Sequence, residues 1–100
     1  MGENTRFEAD TIIDATELSV SPGFINMLSW AYSSLMEDGR SLSDLKQGVT
    51  LEVFGEGVSP GPYVKDGKRH SFKEAMEALE NNGVSTNIAS FFGATTARMM

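Results

Sequence analysis

Three short apolar runs, FINML at 24–28, VTLEVF at 49–54 and TNIASFF at 86–92, are separated by stretches long enough to hold a helix. Each run is strand-sized and rich in β-branched or aromatic residues. The order after residue 23 is therefore strand, helix, strand, helix, strand. Helix-length crossovers imply parallel strands with right-handed connections. A doubly wound sheet and a piece of a (β/α)8 barrel both satisfy that pattern, and elementary physics does not choose between them.

The second crossover carries the strongest helix signal. Ser71 and Glu74 have capping-box spacing, and Phe72, Ala75, Met76 and Leu79 trace one apolar stripe, so a helix is expected over 71–81 with Asn82-Gly83 ending it. In the first crossover MEDGRS reads as a turn bending at Gly39. Ser41 is then expected to cap a short helix, with Leu42 and Leu45 on one side and Gly48 as a left-handed stop. Residues 55–70 read as loop, in which Asp66-Gly67 suits a minor hairpin. ATTARMM reads as loop with the option of a further helix. Ahead of Pro22-Gly23, TIIDAT and LSV read as two short β segments, giving an N-terminal β remnant over 1–21 and the α/β part over 22–100.

Composition narrows the function. Net charge is −6, and the eight Lys and Arg are scattered, which argues against nucleic acid. With no cysteine there is no disulfide, thiolate metal site or cysteine nucleophile; that suits a reducing compartment and a cytoplasmic location. No apolar h-region opens the sequence, and no apolar run approaches the roughly 20 residues that span a bilayer, so no membrane partner is expected.

Longer motifs carry a resemblance. ELSVSPGFINM resembles the G-x-x-V-x-P-G-F-I-D entry to the first barrel strand of the amidohydrolase superfamily. LKQGVTLEVFGEGVSPGP is similar to the R-Q-G-V-T-T-x-V-x-G-N-C-G-x-S-x-A-P block of the N-acyl-D-amino-acid deacylases (D-aminoacylases). SFKEAMEALENNGVSTNIASFFGATTAR resembles the helix and N-V-A-x-x-x-G-H-x-x-x-R stretch that follows in that family. The three blocks run in order from about Ile13 to Arg98.

The resemblance implies a partial (β/α)8 TIM barrel of about three βα units, preceded by a short remnant of an accessory β-sandwich. A complete barrel takes about 250 residues. It implies an enzyme class, hydrolysis of an N-acyl-D-amino acid through zinc-activated water, for the full-length family. The family's His-x-His after the first strand falls here on Leu28 and Trp30, and its later histidine on Ala94. Its metal-bridging cysteine falls near Glu56. The chain by itself is thus expected to bind no zinc and to be inactive.

Strand alternation puts Asn26, Leu28 and Trp30 on one face, and Thr50, Glu52, Phe54 and Glu56 on another that would line the barrel interior. Val49, Leu51 and Val53 are expected to pack against helices. Glu52 and Glu56 are the candidate catalytic carboxylates, as metal ligand or general base. The competing reading sets Glu52 at a solvated edge and Glu56 in a polar turn. His70, the one histidine, precedes the Ser71 cap and lacks partners at ligand spacing. Gly55-x-Gly57 lacks the following helix and Lys of a phosphate loop, and Ser29 and Ser59 lack a nucleophile elbow. A stand-alone, non-catalytic α/β module that self-associates is the alternative function, since three parallel strands leave two open edges. A homo-oligomer is expected in either case.

Overall fold

The computed structural model describes residues 8–100. VTLEVF forms the central strand because its β-branched and aromatic side chains suit a pleated surface covered on at least one side. In order along the chain, the strands and helices are β1 (Phe24–Asn26), α1 (Tyr32–Glu37), α2 (Leu42–Lys46), β2 (Val49–Phe54), β3 (Tyr63–Lys65), β4 (Lys68–His70), α3 (Phe72–Asn82), β5 (Asn87–Ser90) and α4 (Ala94–Met99). Strands β1, β2 and β5 form one parallel sheet in that order, as the crossover lengths predict. The fold is mixed α/β, with a three-stranded parallel sheet and four helices among the described residues.

Local chemistry accounts for most boundaries. The α3 cap is a complete capping box: the Glu74 amide donates to Ser71 Oγ at 3.2 Å, and the Ser71 amide donates to Glu74 Oε2 at 2.6 Å. Asp66 and Gly67, with φ of 52° and 71°, turn the antiparallel β3–β4 hairpin. Gly48 ends α2 at φ 81°, a conformation available at little cost to a residue without a side chain. Helix α1 escapes the sequence reading because Ala31 precedes it without a side-chain cap, and serines fill its first turn.

The two β segments expected within 11–20 are not formed: no strand precedes Phe24 among the described residues. Residues 8–23 are exposed apart from Ala15, and the first seven residues of the expected β remnant lie outside the described region. An aspartate-side-chain turn, with the Thr16 amide donating to Asp14 Oδ1 at 2.9 Å, stands where β pairing was expected.

The faces of β2 are the reverse of the expectation. Phe54 packs against Leu35 of α1 and Leu79 of α3, so the Thr50, Glu52 and Phe54 side of the strand is the helix-covered one. Register places Asn26 and Ile88 beside Glu52 on that side, and leaves Ile25, Leu51, Val53 and Ala89 on the other. None of the three cluster residues lies on this second side; Ile25 and Ala89 are exposed on it, Leu51 is half-buried and Val53 is buried. The expectation gave the helices the wholly apolar face of Val49, Leu51 and Val53; hydroxyl groups from the crossovers satisfy Glu52 and let its face take the helices instead.

Glu74 has a carboxyl pKa below its usual 4.5, chiefly through the hydrogen bond from the Ser71 backbone and then that from its side chain. A depressed carboxyl pKa stabilises the fold above its unfolded value and loses that contribution as pH falls through the folded value. Amide exchange in the first turn of α3 should therefore accelerate as pH drops below about 4.5, beyond the intrinsic pH dependence of exchange. In Glu74→Gln that extra acceleration should vanish.

Candidate functional site

Parallel strands all point their carboxyl ends the same way, and that rim is where α/β sheets place ligands. Here the rim gathers the segments after β1, β2 and β5, carrying Leu28 and Trp30, Glu56, and Ala94 respectively. The sequence-predicted positions are thus brought to one end of one sheet. Their side chains do not form a metal centre.

The β1 strand stops at Asn26, and a turn follows over Met27 and Leu28 in which the Leu28 amide donates to Asn26 Oδ1 at 3.2 Å. Alternation therefore does not carry on from Asn26 through Leu28 to Trp30. Leu28 and Trp30 are 53% and 68% exposed. Ala94 is the exposed first residue of α4. Glu56 is exposed in the bend after β2, where its carbonyl accepts the Val58 amide at 3.1 Å. A leucine, a tryptophan and an alanine offer zinc no lone pair, so these residues do not fit the metal that the resemblance implies.

Loops behind the rim are well tied. The Phe91 amide donates to the Phe54 carbonyl at 2.9 Å, and the Ser59 amide to Thr96 Oγ1 at 2.8 Å. Ser59 Oγ donates to the Gly61 carbonyl at 2.6 Å, which commits its hydroxyl to the loop. Gly55, at φ 92°, lies against the Phe91 carbonyl, where an added Cβ would collide. A cleft of about 250 Å³ opens between Trp30, Tyr32, Phe54 and Val58. His70 stands elsewhere, on the hairpin, with its ring stacked on Tyr63 at 4.9 Å.

Glu52 lies beneath this cleft wall, on the helix-covered face, and is 0% exposed, so the solvated-edge reading is corrected. Its Oε2 accepts from Ser29 Oγ at 2.7 Å, and its Oε1 from Ser41 Oγ at 2.6 Å and Thr86 Oγ1 at 2.9 Å. None of the ion pairs among the described residues involves it. A buried carboxyl without donors costs several kcal/mol, and three hydroxyls offset that cost. The group is thereby built into the frame and does not face the cleft opening. Sequence reasoning picked out Glu52 but not its three donors, which lie 23, 11 and 34 residues away. The available signal was one acidic residue inside an apolar strand, which demands donors from somewhere.

Ser41 does not cap α2 with its side chain; it sits in the left-handed region at φ 46°, with its hydroxyl spent on Glu52. The comparisons with known proteins give no family model that matches, no curated protein that matches and no solved structure that matches.

The Ser41 geometry makes a sharp prediction for urea melts. Ser41→Ala removes a donor to a buried carboxyl and keeps a Cβ in a left-handed backbone, so it should cost about 1–3 kcal/mol. Ser41→Gly loses the same bond but relieves the backbone, and should be more stable than the alanine variant by roughly 1 kcal/mol. Equal stability of the two would contradict the assignment.

Proposed function

We propose that this chain is a segment of a D-aminoacylase-like amidohydrolase, an incomplete (β/α)8 barrel of about three βα units, inactive by itself. One observation carries the reading: β1, β2 and β5 are adjacent, parallel and in chain order. Consecutive barrel strands have that arrangement, which supports the reading; in it, the segments after these strands correspond to those that hold zinc in the resembled family. In this reading the complete enzyme takes a small N-acyl amino acid in the cytoplasm, and this segment supplies scaffold without metal ligands.

A second reading, a non-catalytic α/β module that self-associates, is favoured by the partly open sheet side, on which Ile25 and Ala89 are exposed around the buried Val53. Parallel sheets are ordinarily covered on both faces. Among the described residues no helix is long and apolar enough to cross a membrane.

Returning the ligands tests the barrel reading. The unaltered chain should take up no stoichiometric zinc on titration and hydrolyse no N-acetyl-D-amino acid. Leu28→His combined with Trp30→His should raise zinc affinity at the β1 rim above that of the parent, seen by titration. Two ligands alone make a weaker site than the three or four of a complete centre. If the double variant binds zinc no more tightly than the parent, the proposed equivalence of these positions fails.

A further inference from the structure

The segment ahead of the sheet combines features that a solvent-exposed strand ordinarily avoids. Ile12, Ile13, Leu18 and Val20 are 72–85% exposed, and Glu8, Asp10, Asp14 and Glu17 accompany them with no Lys or Arg between 8 and 23. This acidic, apolar arm has no strand partner among the described residues.

The β3–β4 hairpin has the opposite character. The eight basic residues are not evenly scattered after all: Lys65, Lys68, Arg69 and Lys73, four of them, fall within nine positions on and beside it. Lys65 and Lys68 are direct cross-strand partners, and like charges placed opposite each other destabilise a ladder. Among the described residues the two strands pair only with each other, so each keeps an unpaired edge there, and an isolated two-stranded hairpin is marginal in water. Beside β4 a cleft of about 360 Å³ is lined by the apolar Pro62, Phe72 and Phe92 and by Arg69, His70 and the carboxylate-bearing Glu74. Lys65 and Lys68 make no ion pair among the described residues.

We infer that the arm of one copy, residues 8–20, docks as an added strand on the β3–β4 hairpin of a second copy, with the exchange made reciprocally across a two-fold axis. The occupant is chosen by charge: a segment carrying four carboxylates meets the most basic stretch of the chain. Its aliphatic side chains fill the Phe72–Phe92 cleft, while its backbone satisfies a free hairpin edge. The carboxylates also relieve the repulsion between Lys65 and Lys68. This inference rests on the self-association reading and specifies its surface; it is independent of the amidohydrolase resemblance.

Sedimentation velocity on the full chain tests it. The parent chain should sediment as a dimer at micromolar concentration and weaken as salt rises, since the contact is steered by charge. Reversing the arm (Glu8→Lys, Asp10→Lys, Glu17→Lys) or the hairpin (Lys65→Glu, Lys68→Glu) should each weaken association by about tenfold or more. An equimolar mixture of the two variants should restore the dimer, because both arm–hairpin contacts are again of opposite sign. That rescue also excludes misfolding as the cause of either loss. A parent chain that stays monomeric overturns both this inference and the self-association reading. A dimer that ignores both reversals, or variants that fail to rescue each other, overturns the arm contact alone and leaves association through the open sheet side.

Discussion

Glu52 holds the described fold together at its centre. The residue sits on the middle strand of a three-stranded sheet and receives hydroxyls from the β1–α1 connection, the α1–α2 connection and the approach to β5. Each donor belongs to a different piece of the two crossovers. Fixing them to one carboxyl sets where α1 and α3 descend on the sheet, so that Leu35 and Leu79 close over Phe54. The hydrophobic cluster is small, with three buried members, and a 100-residue chain has little other core to draw on. Satisfying one buried acidic group is therefore a large share of what decides this arrangement.

The same interaction bears on function. An acidic residue in the central strand reads naturally as a ligand or general base, but three donors immobilise this one on the side away from the partly open sheet face. What remains at the carboxyl rim is an exposed tryptophan, an exposed leucine, one exposed glutamate and a helix start. Of the rim residues that the resemblance singles out, Leu28, Trp30 and Ala94 carry no metal-ligating side chain.

Much of the architecture was legible because it follows from local pattern. The parallel order follows from crossover length, α3 from Ser71 and Glu74, and the hairpin from Asp66-Gly67. The failures share one cause, since each depended on side chains meeting across long sequence separations. Periodicity in VTLEVF distinguishes two faces, but only the partners of Glu52 decide which faces the helices. Ser41 looked like a cap because capping is local; its hydroxyl instead answers a demand eleven residues away. Helix α1 lacks a capping side chain, and its position is fixed by Leu35 entering the cluster. The apolar pattern of 11–20 suits a strand, yet pattern alone does not supply the partner strand that a ladder needs.

One carboxyl, that of Glu52, ties both crossovers to the sheet. Native-state amide exchange on Glu52→Ala measures this residue by residue. Protection should fall together in β1, β2 and β5, because removing the shared acceptor frees all three connections at once. Loss of protection confined to β2, with β1 and β5 protected as in the parent chain, would contradict it.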